Sequence, residues 1–249
     1  TGDGRFKPET EYSSGNGPRG ITVLDADGDG DLDIVNSNVG SNNLSLLTNK
    51  GDGSFEAPVF IDGGCNGEWA VSSADMNLDG ILDLVVGCHA DGVINVLTGD
   101  GSAGFALRST QAGPVDLWMI VIGDLNGDGN ADVSVAGGHS DNGAILLGAS
   151  DGSLAAADLY GTDPSTSATD IGDLDGDGDL DWVTSSFGGD DSDWYFWEND
   201  GTGHFTKLME WNSPQDASCA LLLDLDLDGD LDMALIDEAE DVLLLLKNE

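Results

Sequence analysis

Short apolar runs separated by Gly, Asp and Asn dominate this chain, and residues 51–98 show the pattern most clearly. GDGSFEAPVF (51–60) reads as a tight turn and a short strand, 62–67 as a loop and 69–74 as a strand. After an acidic stretch come a strand over 82–88, a turn at 90–92 and a strand over 93–98. Aliphatic and β-branched residues in runs this short, bounded by turn formers and without helical periodicity, predict antiparallel β-structure.

The acidic stretch follows D-x-[DN]-x-D-G-x-x-D and recurs. Its copies place side-chain oxygens at Asp25, Asp27, Asp29 and Asp33; at Asp75, Asn77, Asp79 and Asp83; at Asp124, Asn126, Asp128 and Asp132; at Asp173, Asp175, Asp177 and Asp181; and at Asp224, Asp226, Asp228 and Asp232. Carboxylates packed so densely repel one another unless a cation sits among them, and hard oxygen donors at alternating positions suit Ca2+. A lone copy would equally suit an acidic turn; recurrence of four donor positions around a fixed glycine favours metal. A period of about fifty residues marks a repeat protein, and four strands per period is the content of one propeller blade. The fold expected is all-β: a β-propeller of five four-stranded blades, in repeat units 1–50, 51–98, 99–150, 151–199 and 200–249, forming a single domain.

An EF-hand is excluded, since it needs flanking helices and a Glu at the twelfth position, whereas Asp33 leads straight into Ile34 and Val35. The stretch AVSSADMNLDGILDLVVG, followed by VLTGDGSAGF, resembles the FG-GAP/VCBS repeat of integrin-α-type propellers. That resemblance implies that side chains one, three, five and nine of each loop bind calcium, together with the seventh residue's carbonyl. The seventh residues are Asp31, Ile81, Asn130, Asp179 and Asp230. Up to five Ca2+ are expected, with weaker binding at Asn77 and Asn126, where an amide replaces a carboxylate. Family members more often have six to eight blades, so five needs its own argument. The N-terminal TGDGRFKPE matches fourth-strand sequences, while DVLLLLKNE matches a third strand and then stops. The expectation is a ring closed by the N-terminal strand completing the C-terminal blade, the alternative being a fragment of a longer array.

Charge narrows the partners. With 7 basic and 48 acidic residues the net charge is −41, which disfavours nucleic acid and anionic membrane; five Ca2+ would leave −31, and no apolar run reaches the length of a membrane span. Loops relying on short Asp side chains belong to the weaker calcium class, filled outside cells, so an extracellular or cell-surface location is expected. Metal loops and GDG turns should share one end of the blades, leaving the fourth-to-first and second-to-third connections at the other. On that second face Asn66, Trp69, His89, Asp116, Trp118 and Asn142, with Trp211, form the aromatic and amide mixture that binds sugars or peptides; for each Trp the competing reading is packing between blades. The run 194–197, WYFW, reads as core. Antiparallel pairing brings Cys65 and Cys88 to one end as a candidate disulfide, leaving Cys219 as a buried thiol. Asn43-Leu44-Ser45 reads as a glycosylation sequon on an exposed turn.

No GxSxG, HExxH or Cys/His spacing signals catalysis, and no enzyme is expected. The reading reached is a calcium-stabilised module for protein interaction, adhesion or structural assembly, acting through the face opposite the metal loops, with a calcium-dependent lectin as the alternative. Partners would be an extracellular protein or glycan, within a larger assembly.

Overall fold

The computed structural model describes residues 8–188 and 192–248. Its strands form five antiparallel sheets, each running through the sequence without crossovers. The first holds β1 (Pro18–Leu24), β2 (Asp33–Asn38), β3 (Asn43–Leu47) and β4 (Val59–Ile61), and the second β5 (Glu68–Ala74), β6 (Asp83–Cys88), β7 (Val93–Gly99) and β8 (Phe105–Ala112). β9 (Leu117–Gly123), β10 (Asp132–Gly137), β11 (Asn142–Leu146) and β12 (Asp158–Gly161) make the third, and β13 (Thr166–Gly172), β14 (Asp181–Ser186), β15 (Asp193–Asn199) and β16 (Phe205–Asn212) the fourth. The fifth has three strands, β17 (Ala217–Leu223), β18 (Asp232–Asp237) and β19 (Val242–Leu246).

First strands are neighbours in succession, β1 with β5, β5 with β9, β9 with β13 and β13 with β17. The sheets therefore follow one another like blades, and the core lies between them. Val35, Leu44 and Leu46 of blade one pack with Val71, Leu84 and Val86 of blade two. Val85, Ile94 and Val96 of blade two pack in turn with Ile120, Val133 and Val135 of blade three. Ile145 and Tyr160 of blade three meet Trp182, Trp197 and Phe205 of blade four, and Val183, Trp194 and Phe196 of blade four meet Ala220 and Leu235 of blade five. Fully buried side chains of this size each contribute about 1.5–3 kcal/mol. The run 194–197 is core, as the sequence suggested.

Every first strand carries a β-bulge at its start. In β5 the register breaks between Glu68, opposite Cys88, and Ala70, opposite Gly87, so Trp69 has no partner. The same break isolates Trp118, Ser167 and Ser218, and in β1 it falls within Pro18–Ile21 and takes in Arg19. A bulge re-aims one side chain out of the alternation, and here it does so at one repeat position around the array.

The N-terminal stretch expected to complete the fifth blade falls largely on residues 1–7, outside the described residues; among the described residues, 8–15 hold no strand and the fifth sheet has three strands. One expectation is corrected. The sequon is not on an exposed turn, because Asn43 opens β3, is half-buried and accepts a hydrogen bond from Asn38 Nδ2 at 2.9 Å.

Candidate metal hairpins and ligand site

Each acidic stretch is the hairpin between a blade's first and second strands. The first aspartate organises it by accepting the backbone N–H of the sixth residue: Asp25 from Gly30 at 3.0 Å, Asp75 from Gly80 at 2.8 Å, Asp124 from Gly129 at 2.9 Å, and Asp173 and Asp224 from Gly178 and Gly229 at 3.1 Å. These glycines have φ from +83° to +106°, a region that a side chain strongly disfavours.

The ninth residue does more than the motif announces. Asp33, Asp83, Asp132, Asp181 and Asp232 are buried, and each uses both oxygens on the backbone. One oxygen accepts the N–H of the second loop residue, in Ala26, Met76, Leu125, Leu174 and Leu225 at 2.8–3.0 Å. The other accepts the N–H just after or at the end of the third strand, in Asn49, Gly99, Gly148, Asn199 and Asn248 at 2.6–3.0 Å. The residue clamps three segments whether or not an ion is near. Burial pushes the carboxyls of Asp83, Asp132 and Asp181 upward, against the backbone hydrogen bonds that favour the charged form.

Among the described residues, three hairpins bring three carboxylates within 4.8 Å of one another: Asp25, Asp27 and Asp29; Asp173, Asp175 and Asp181; and Asp224, Asp226 and Asp232. These could hold a metal ion, and their all-oxygen donor sets fit a hard cation. In the other two hairpins the third-position amide turns onto the fifth-position carboxylate, Asn77 Nδ2 to Asp79 at 2.9 Å and Asn126 Nδ2 to Asp128 at 3.2 Å. The seventh-position side chains of Asp31 and Asp179 lie against Gly51 and Gly201 of the GDG and DGTG turns.

At the opposite ends, bulge residues and connections assemble an aromatic cluster across blades one to three. The Trp69 and Trp118 rings stack with centroids 6.1 Å apart and planes 17° apart. His89 lies 4.8 Å from Trp69, Arg19 places its guanidinium 4.3 Å from the same indole, and His139 meets Trp118 edge-on at 5.3 Å. Asp116 joins the two imidazoles, with Oδ1 3.4 Å from His89 Nε2 and Oδ2 3.0 Å from His139 Nδ1. It takes φ +58° where blades one and two have Gly17 and Gly67, and Ser165 in blade four does likewise at +63°. A non-glycine residue held in this region often marks a functional site. Gly138 backs the Trp118 ring so closely that no larger side chain fits there.

Two nitrogens in the cluster, Trp118 Nε1 and His89 Nδ1, are buried without a partner. Buried polar atoms are normally satisfied, so these two stand out as unpaired groups within the cluster. Trp69, His89, Asp116 and Trp118 thus come together as the sequence proposed. Asn66 does not join them: it is exposed and bonded to Asp91, N–H to Oδ2 at 2.8 Å. Asn142 opens β11, half-buried, with its carbonyl accepting from Ser140 Oγ at 3.2 Å. Trp211 lies on β16, 42% exposed. Arg19, on the face to which the sequence assigned residues 16–19 and at the repeat position of Trp69 and Trp118, was not among the ligand residues expected.

Beside the cluster, Cys65 and Cys88 are joined as a disulfide with Cα atoms 6.1 Å apart. Cys219 is a half-buried free thiol, pushed upward by burial. Glu68, next to Trp69, is fully buried with no well-formed hydrogen bond to either carboxylate oxygen; burial pushes its carboxyl upward, against the nearby backbone N–H groups of Glu68 and Gly63 and with the help of Asp62 and Asp91.

The profile of the FG-GAP-like repeat matches residues 37–86, 75–135, 124–184 and 173–235, each stretch ending just past an acidic hairpin. The chain belongs to the FG-GAP-like repeat family. The hairpin at 25–33 precedes the matched region and is related by its likeness to the other four. Among solved structures this FG-GAP-like chain is similar to an Agrocybe aegerita lectin, described for its specific recognition of non-reducing terminal N-acetylglucosamine, at 25% identity and a TM-score of 0.50. The match covers 74% of this chain and 49% of the lectin's. It is also similar in fold to a V. cholerae biofilm matrix protein, at 18% identity and a TM-score of 0.59, over 94% of this chain and 38% of that one. The chain therefore spans half or less of either relative. The curated proteins yield no match.

Proposed function

We propose that this FG-GAP-like array is an extracellular, calcium-braced binding module that engages a glycan through the Trp69–Trp118 cluster. Calcium in the five hairpins fixes the blade ends at one side, and the bulge residues present the site at the other. The observation that carries the reading is the cluster itself: stacked indoles flanked by Arg19, Asp116 and two imidazoles, with an unclaimed indole N–H and an unclaimed imidazole nitrogen. Aromatic edges supply rigid apolar contact to a sugar ring, and the polar groups supply the hydrogen bonds that orient its hydroxyls. The resemblance to the N-acetylglucosamine-recognising lectin supports this reading. Contact with a protein through the same face is the second reading, favoured by connections that differ from blade to blade, such as the disulfide-bonded 62–67 loop in blade two alone.

A glycan array probed with the wild-type chain and with Trp118→Ala, in calcium and in chelator, tests it. The expected result is saturable binding to a related set of sugars in calcium, reduced at least tenfold in Trp118→Ala. A blank array from a folded, calcium-loaded chain would contradict the glycan reading and favour a protein partner.

A further inference from the structure

The described residues include the cations Arg19, Lys50, Arg108, Lys207 and Lys247. All but one sit on a carboxylate: Lys50 on Glu56 at 3.2 Å, Arg108 on Asp151, Lys207 on Glu210 at 2.7 Å and Lys247 on Asp226 at 2.6 Å. In a chain with 48 acidic residues, a cation that takes none of them stands apart. Arg19 is exposed and has neither a carboxylate partner nor a side-chain hydrogen bond among the described residues. Its contact is the face of Trp69, 4.3 Å away.

Stacking engages only the face of a guanidinium. The N–H groups lie in its plane and form a fork that matches the two oxygens of a carboxylate, so an arginine on an indole keeps its edge free for a bidentate ion pair. The other polar groups of the bulge row are spoken for. Ser167 Oγ shares a hydrogen bond with Ser185 Oγ at 3.1 Å and donates to the Ser218 carbonyl at 3.1 Å, and Ser218 Oγ donates to the Ile236 carbonyl at 3.4 Å. The cluster's own carboxylate, Asp116, lies between the two imidazoles, and Asp91 is held by the backbone and amide of Asn66. The groups left unpaired are the Arg19 fork, the Trp118 N–H and His89 Nδ1. The first two can only donate, and a group that only accepts and carries negative charge answers both.

Resting on the glycan reading above, we infer that the sugar is acidic. Arg19 binds the carboxylate of a uronic or sialic acid residue through its free edge, while the sugar ring lies against the Trp69 and Trp118 indoles. The chain's net charge of −41 does not forbid this: at about 0.15 M salt, charges farther than about 8 Å from the ligand are largely screened, and the guanidinium in direct contact decides. The competing role for Arg19 is a brace that only holds the Trp69 ring, which gives no preference for acids.

An array that carries glucuronic, galacturonic and N-acetylneuraminic acids, each beside its carboxyl-reduced alcohol, tests the proposal in calcium at that salt. The wild type should bind at least one acid on the order of tenfold or more tightly than its alcohol, as charge-assisted hydrogen bonds would give. Arg19→Gln should bind acid and alcohol alike, and Arg19→Lys, which keeps the charge without the fork, should recover part of the preference. Both variants should melt with the wild type, since the position is exposed. Equal binding of acids and alcohols by the wild type overturns the proposal and leaves the glycan reading standing. So does an acid preference that survives in Arg19→Gln, as calcium bridging to the acidic hairpins would produce, and so does an equal loss of both classes in that variant, the mark of a brace. An array blank for acids and alcohols alike removes the glycan reading and this one with it.

Discussion

At the scale of single residues, buried carboxylates differ in whether the backbone partners them. The ninth-position aspartates are held by backbone N–H groups on both oxygens, so removing one leaves buried donors without an acceptor, a loss of about 2–4 kcal/mol in all. Asp132→Ala should be destabilised by that amount in urea denaturation carried out in chelator, where loss of a metal ligand has no effect; an unchanged midpoint would show that the clamp carries no stability. Glu68 has no well-formed hydrogen bond to either oxygen and its carboxyl is pushed up by burial. A group whose pKa is raised on folding gives its full stability below its unfolded value and loses it as pH rises through the folded value. Glu68→Gln should therefore melt higher than wild type at pH 7, with the gap closing as the pH falls into the carboxylate range. A lower melting temperature at pH 7 would mean that the charged carboxylate is satisfied in solution. Asp237 is the contrary case: burial opposes its charge, but bonds from Ser213 and the backbone of Glu240, Gln215 and Asp216 outweigh it and hold the group at about 2.

At the scale of elements, the hairpins and strands were legible because they rest on local chemistry. Glycine at the sixth loop position, donors at alternating positions and aliphatic runs of strand length each say the same thing five times over. The bulges were not legible, since a register break depends on the partner strand; only the spacing of Arg19, Trp69 and Trp118 hinted that these side chains share one position. The clamp formed by the ninth aspartate was hidden for the same reason, as its second backbone partner arrives from the third strand. Asn66 and Asn142 look like ligand groups in sequence, but Asn66 is claimed by Asp91 and Asn142 is taken into β11. The disulfide followed from strand order alone. It closes a sequence separation of 23 residues between the loop before β5 and the end of β6, and chain-entropy arguments make such a link worth about 3 kcal/mol. Cys65→Ser should lower stability by about that much and expose a second thiol, from Cys88, to titration under denaturing conditions; a wild-type chain that titrates three thiols without reductant would contradict the bond.

At the scale of the whole molecule, the repeat dictates five sheets and their succession, but not how the ends meet. Closure depends on which surface reaches which, and no local pattern encodes that. What the repeat does dictate is a division of labour, with five acidic hairpins at one end of the blades and the varied connections and the aromatic cluster at the other. A ligand that binds only the folded chain stabilises it by mass action, so each hairpin at tenfold to hundredfold excess of calcium over its dissociation constant should add about 1–3 kcal/mol. The measurement that tests this account most directly is native mass spectrometry of the chain in millimolar calcium, with melting curves recorded in calcium and in chelator. Five bound Ca2+ should be found, the two at the Asn77 and Asn126 hairpins lost first on dilution, with a melting temperature that falls on chelation. Three or fewer ions at saturation, or a melting temperature indifferent to chelator, would contradict it.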